Sequence, residues 1–127
     1  MTLNGDFTVV NKATEKVVCD AGPIIHLDEL DSVHLLSDFR EILVGPLVRA
    51  EIAGFRPFAL DKIDQFTNSP VVAPSQDPVL LSLCKVFALY AGEMEAVLLM
   101  KQFPASILLT DDAAARVVAE RIGFRVH

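Results

Sequence analysis

Two short apolar runs in this chain stop abruptly on carboxylates, and few folds accommodate that pattern. Val17-Val18-Cys19 runs into Asp20, and Ile107-Leu108-Leu109-Thr110 runs into Asp111-Asp112. Runs this short, apolar throughout and partly β-branched, read as strands covered on both faces of a parallel sheet. In open α/β sheets, ligands bind beyond the carboxyl ends of the strands. Acidic residues at two such ends become neighbours in space despite their separation in sequence. That is the geometry of a hard-cation site.

The remainder of the chain alternates in the same way. Residues 1–16 are polar apart from Phe7, Val9 and Val10, and read as an N-terminal arm or weak edge strand, leaving residues 17–127 as the domain. A first strand is expected over 17–21, then one or two short helices from Pro23 to Phe39, broken near Asp31-Ser32. Ile42-Leu43-Val44 reads as a second strand, Pro46 opens a helix, a short helix lies near 60–66, and Val71-Val72-Ala73 reads as a third strand. Asp77 is an N-cap with Pro78 at the first helical position. The helix it opens is expected to reach about Tyr90, with Val79, Leu80, Leu83, Val86, Phe87 and Tyr90 at helical spacing. Gly92 reads as a break before a helix over 93–103. A strand over 106–110, a helix over 112–122 stopped by Gly123, and a last strand over 124–126 complete the series. Strands alternating with helices predict an α/β fold with a mainly parallel sheet.

At 127 residues and 52% hydrophobic content the chain suits one domain with a real core. Its net charge of −6 argues against a broadly basic nucleic-acid-binding surface. It does not argue against a metal-dependent nuclease, whose centre is itself a pool of negative charge. No secretory signal is visible, and the longest nearly apolar stretch, 78–92, is interrupted by Ser82 and Lys85. That falls short of the ~20 residues a membrane span needs. Cys19 and Cys84 lie in apolar stretches without metal-ligand spacing and read as buried free thiols. The expectation is a soluble, cytoplasmic protein with no membrane association.

Each acidic pair has an ordinary explanation. Glu93 and Glu95 begin a helix, where carboxylates offset the helix dipole, and Asp111 and Asp112 open another. Asp20, directly after a buried strand, has no evident capping duty that Ser would not perform as well. The combination is more specific than its parts, because Mg2+ and Mn2+ take hard oxygen ligands, usually one or two carboxylates plus water and phosphate. Without metal, such a cluster should repel itself and hold raised pKa values.

These residues also carry a resemblance. The run from Val17-Val18-Cys19-Asp20-Ala21-Gly22-Pro23 to Leu27 resembles the opening of a PIN domain. Gly92-Glu93-Met94-Glu95-Ala96-Val97 is similar to the Gly-Glu-x-Glu-Ala-Ile signature of a PIN subfamily. Thr110-Asp111-Asp112-Ala113, with Arg116, Ala119 and Gly123, resembles its next block, in the same order and at similar separations. The resemblance implies a three-layer α/β/α sandwich with a mainly parallel sheet of four to five strands, C-terminally short. It implies a Mg2+- or Mn2+-dependent endoribonuclease acting on single-stranded RNA, the toxin of a toxin–antitoxin pair. By motif position Asp20, Glu93 and Asp112 correspond to catalytic metal ligands, Glu51 and Asp111 to supporting ligands, and Thr110 to an orienting hydroxyl. Glu95, two residues from Glu93 on a helix, should point elsewhere. The family often carries Ser, Thr or Asn where this chain has Gly22, and its members usually continue past the last strand. The alternative is therefore a catalytically weak or inactive PIN-like module that binds nucleic acid or protein.

His26 and His34 read as ordinary helix residues, and Arg116 as an ion-pair partner of Asp112 or a clamp on substrate phosphate. Arg49, Arg56, Lys85 and Arg121 read as a solvated face. The stripe Val79, Leu83, Val86 and Phe87 reads as core, partly shared with a homodimer interface. A receiver-type phosphoacceptor also clusters acids at strand ends, but it needs an acidic pair after its first strand, where this chain has one acid.

Overall fold

The computed structural model describes residues 15–127. The arm expected over 1–16, with Phe7, Val9 and Val10, lies outside the described residues except for Glu15 and Lys16, and Lys16 already belongs to the first strand. Four strands form one sheet: β1 (Lys16–Cys19), β2 (Glu41–Leu43), β3 (Ile107–Leu109) and β4 (Arg125–Val126). Their order is β2-β1-β3-β4, every pair parallel. The helices are α1 (Ala21–Glu29), α2 (Pro46–Phe55), α3 (Ala59–Phe66), α4 (Pro78–Val86), α5 (Ala91–Gln102) and α6 (Ala113–Ile122), with a 3-10 helix over Val33–Asp38.

The strands alternate between two cores, as their pleat requires. Val17, Cys19, Ile42 and Val44 pack on one face with Ala21 and Ile24 of α1, Val48 and Ile52 of α2, and Ile63 of α3. Val18, Leu43 and Leu108 pack on the other with α4, α5 and α6, through Cys84, Val97, Met100 and Val118. This gives the three α/β/α layers. Both cysteines are buried and unbonded.

Five local expectations need correction. Ala21 belongs to α1, not to the strand, because Asp20 caps the helix immediately after Cys19. Residues 71–73 do not form a strand; Val71 makes a single parallel bridge to Val44, and Pro70 and Pro74 on either side restrict further pairing. The helix begun at Asp77 ends at Val86, because Ala88 adopts a left-handed φ of +58°. Gly92 consequently lies inside the first turn of α5 and is not the break. The stripe on α4 is also turned from its expected position. Leu80 and Cys84 enter the core, whereas Val79 and Val86 are 82% and 79% exposed and Leu83 and Phe87 lie at the margin.

Strand order fixes where a site can form. From β1 the chain moves outward to β2, then returns past β1 to β3 on its other side. β1 is thus the point at which the order reverses, and a crevice opens beyond the ends of β1 and β3. The register pairs Cys19 with Leu109, so the residues that follow them, Asp20 and Thr110, leave the sheet side by side.

Candidate metal centre

Asp20 is fixed from both strands. Its N–H donates to the Leu109 carbonyl at 3.0 Å, extending the β1–β3 ladder by one residue. Its Oδ1 accepts from the Ala21 N–H at 2.8 Å and its Oδ2 from the Thr110 hydroxyl at 3.0 Å. Asp20 and Thr110 are each only 4% exposed. Asp20 therefore does cap α1, in addition to whatever else it does. Thr110 Oγ1 in turn accepts from the Asp112 N–H at 3.1 Å, and Asp112 Oδ2 caps α6 by accepting from the Ala115 N–H at 2.7 Å. One hydroxyl thus links the two acidic strand ends.

Helices α2 and α5 bring two further acids toward this pair. Glu93 accepts from the Tyr90 N–H at 2.8 Å. Glu51 leaves α2 toward α5, so a Cβ added to Gly92 would stand 3.0 Å from Glu51 Oε1. Asp111 lies at the exposed edge, its Oδ2 3.2 Å from His26 Nδ1. Its carboxylate fills the space that a Cβ on residue 22 would occupy, so Gly22 and Asp111 are complementary. Glu95 behaves differently: it is buried and points to the N-terminus of α2.

The electrostatics show that the five acids form one group. Burial raises the pKa of Asp20, and the charges of Asp111 and Asp112 raise it further, against the bonds from Ala21 and Thr110. Burial also pushes Glu93 up, to about 7, with Asp112 repelling it and sharing a proton with it and with Asp20 adding to the repulsion. Glu51 is raised by burial, then by Asp20 and Asp111. Each of the five carboxylates is therefore near enough to perturb, or be perturbed by, another. Such excess negative charge is what a divalent cation neutralises. All the donors are carboxylate oxygens, which suits Mg2+ or Mn2+. Among the described residues no three His, Cys, Asp or Glu side chains already enclose a common point. Each acid nevertheless keeps lone pairs beyond those its N–H or O–H donors use.

Arg116 lies one turn beyond Asp112 and is half-buried, but the expected Asp112–Arg116 ion pair is absent among the described residues. Of the cations read as a solvated face, Arg49 pairs with Asp64 at 3.0 Å and Arg56 with Asp28 at 2.7 Å, while Arg121 lies over the Phe87 ring. His26 was not distinguished by sequence from an ordinary helix residue. The available signal was its spacing, since Gly22 and His26 are four apart on α1 and share the face that meets Asp111.

No helix among the described residues is long and apolar enough to cross a membrane. Comparison with curated proteins gives no match. A protein-family model described as a PIN domain matches residues 16–127, which hold all four strands and all five acids.

Proposed function

The chain belongs to the PIN-domain family, and on that premise we propose that it is a Mg2+- or Mn2+-dependent endoribonuclease acting on single-stranded RNA. PIN domains are generally nucleases and typically use divalent metals. The observation that carries the reading is the Thr110 hydroxyl joining Asp20 to Asp112, with Glu93 and Glu51 within electrostatic reach.

Asp20, Glu93 and Asp112 would hold the cation, with Glu51 and Asp111 at its margins. When bound, such an ion lowers the pKa of water and stabilises charge on a phosphodiester in flight. Thr110 favours the ionised form of Asp20 and fixes its carboxylate by donating to Oδ2. The β1–β3 ladder holds Asp20 at a fixed height above the sheet. Arg116 is free to reach a substrate phosphate, as a point of positive charge beside an acidic centre. The motif resemblance supports a toxin role with an antitoxin protein as partner. The exposed Val79 and Val86 on α4 support a homodimer through that face.

The test is incubation of a mixed single-stranded RNA pool with Mn2+, with EDTA, and with the Asp20→Asn variant. Cleavage should require the cation and vanish in Asp20→Asn while the variant stays folded. Equal cation-dependent cleavage by both proteins refutes the assignment.

A further inference from the structure

Glu95 is 3% exposed, and among the described residues no Lys, Arg or His pairs with it. A buried carboxylate without a cation is costly unless donors surround it. Its donors belong to another helix. Leu47 N–H donates to Oε2 at 2.9 Å and Val48 N–H to Oε1 at 3.0 Å, both in the first turn of α2. These are charge-assisted bonds at the positive end of a helix dipole.

The start of α2 is shaped for this intrusion. Its N-cap is Gly45, which has no side chain with which to cap the helix itself. A Cβ at residue 45 would fall inside the Glu95 carboxylate. The cap of α2 is therefore supplied from α5, 48 residues later in sequence for Leu47. A local Ser or Asp would satisfy the same N–H groups but would leave the distance between the helices free.

The two helices that Glu95 joins are those that carry Glu51 and Glu93. Glu51 follows Leu47 by one turn, and Glu93 precedes Glu95 by two residues, on the opposite side of α5. Glu51 Oε1 also stands over Gly92, 3.0 Å from where a Cβ would lie, so the same interface is close at the level of the acids. We infer that Glu95 is a positioning residue of the acidic centre, setting the separation of α2 from α5 and hence of Glu51 from Glu93. This role rests on the cation-binding reading above. It differs from plain structural support because it acts on the site through one defined pair of hydrogen bonds.

The experiment measures Mn2+ affinity from the free-ion paramagnetic resonance signal. It compares the intact chain, Glu95→Gln, Gly45→Ala and the double variant, with Asp77→Asn as control. Glu95→Gln keeps the shape of the side chain but replaces one acceptor with a donor that faces an N–H. Gly45→Ala displaces the carboxylate from the other side. Each should weaken Mn2+ binding about tenfold, the usual scale when partners of ligating residues are lost. The double variant should be little worse than either, since both break one contact. Asp77→Asn loosens the cap of α4 and weakens an ion pair with Lys101 in the last turn of α5, at the end away from Glu93, and should lower stability with Mn2+ affinity unchanged. Folded Glu95→Gln that binds Mn2+ like the unaltered protein overturns the inference. If the variants do not fold, the unaltered protein decides: by linkage, Mn2+ must slow hydrogen exchange at the Leu47 and Val48 amides. Unchanged exchange there, with Mn2+ bound, also overturns it. An unaltered chain that fails to bind Mn2+ overturns the cation reading itself.

Discussion

Replacing Thr110 with Val removes one oxygen and keeps the shape of the side chain. That oxygen donates to Asp20 at 3.0 Å and accepts from the Asp112 N–H at 3.1 Å. Loss of a buried hydrogen bond to a charged group costs roughly 1.5–3 kcal/mol. Asp112 is only half-buried, so water can reach its orphaned N–H, and that loss adds about 1 kcal/mol or less. The sum, roughly 1.5–4 kcal/mol, is a large part of a total stability of order 10 kcal/mol for a domain of this size. It corresponds to a fall in Tm of about 10 °C. The pH dependence has a definite sign. Burial raises the pKa of Asp20 in the folded state, and the Thr110 bond opposes that rise by favouring the ionised form. Without the hydroxyl Asp20 rises further, so the variant is penalised most where Asp20 must be charged. Thermal unfolding in EDTA, followed by circular dichroism, should show a large gap between the proteins at pH 8 that narrows in acid. A gap of equal size at both pH values, or one below about 0.5 kcal/mol, refutes the reasoning.

Three other outcomes follow from charge. Glu93 holds its proton until about pH 7, so a cation that binds it must displace that proton. Mn2+ affinity should fall as pH drops below 7, approaching ~tenfold per unit for one displaced proton, and a flat profile between pH 8 and 6 would exclude Glu93 as a ligand. Because its folded pKa lies above the ordinary glutamate value of 4.5, the metal-free protein should lose stability as pH rises through that window, and Mn2+ should restore it. Asp28 works in the opposite sense: Lys62 and Arg56 donate to it at 2.6 and 2.7 Å and hold its carboxyl below the usual range. Its contribution is present at neutral pH and lost as pH falls through its folded value, so Asp28→Asn should lower Tm at pH 7, by an amount that shrinks as pH falls below the ordinary aspartate value of 3.8. A constant difference across that range would place the effect in packing instead.

The strands and the principal acids were legible because each rests on a local signal. An apolar run ending on Asp marks a buried strand and its exit, and Asp77-Pro78 marks a helix start. Residues 71–73 misled because β-branched composition cannot show whether a partner strand has space between two prolines. The α4 stripe misled for a related reason. Apolar spacing gives a helix its candidate faces, but the turn at Ala88, which no local residue type announced, decides how far the helix extends. The roles of Gly22, Gly45 and Glu95 were hidden for a different cause. Each is defined by a group more than 40 residues away, Asp111 for Gly22, Glu95 for Gly45 and the Leu47 and Val48 N–H groups for Glu95, so its meaning exists only in the packed state.

The central position of β1 has a consequence for the chain while it is being made. Asp20 and its hydroxyl partner Thr110 are 90 residues apart, and β1 cannot pair with β3 until the second has been synthesised. An emerging chain that has formed α1, β2 and α2 holds Asp20 and Glu51 alone, two acids with nothing to complete them. Contacts this distant form late in folding. The acidic centre of a chain with this topology is therefore incomplete until almost the whole sheet has assembled.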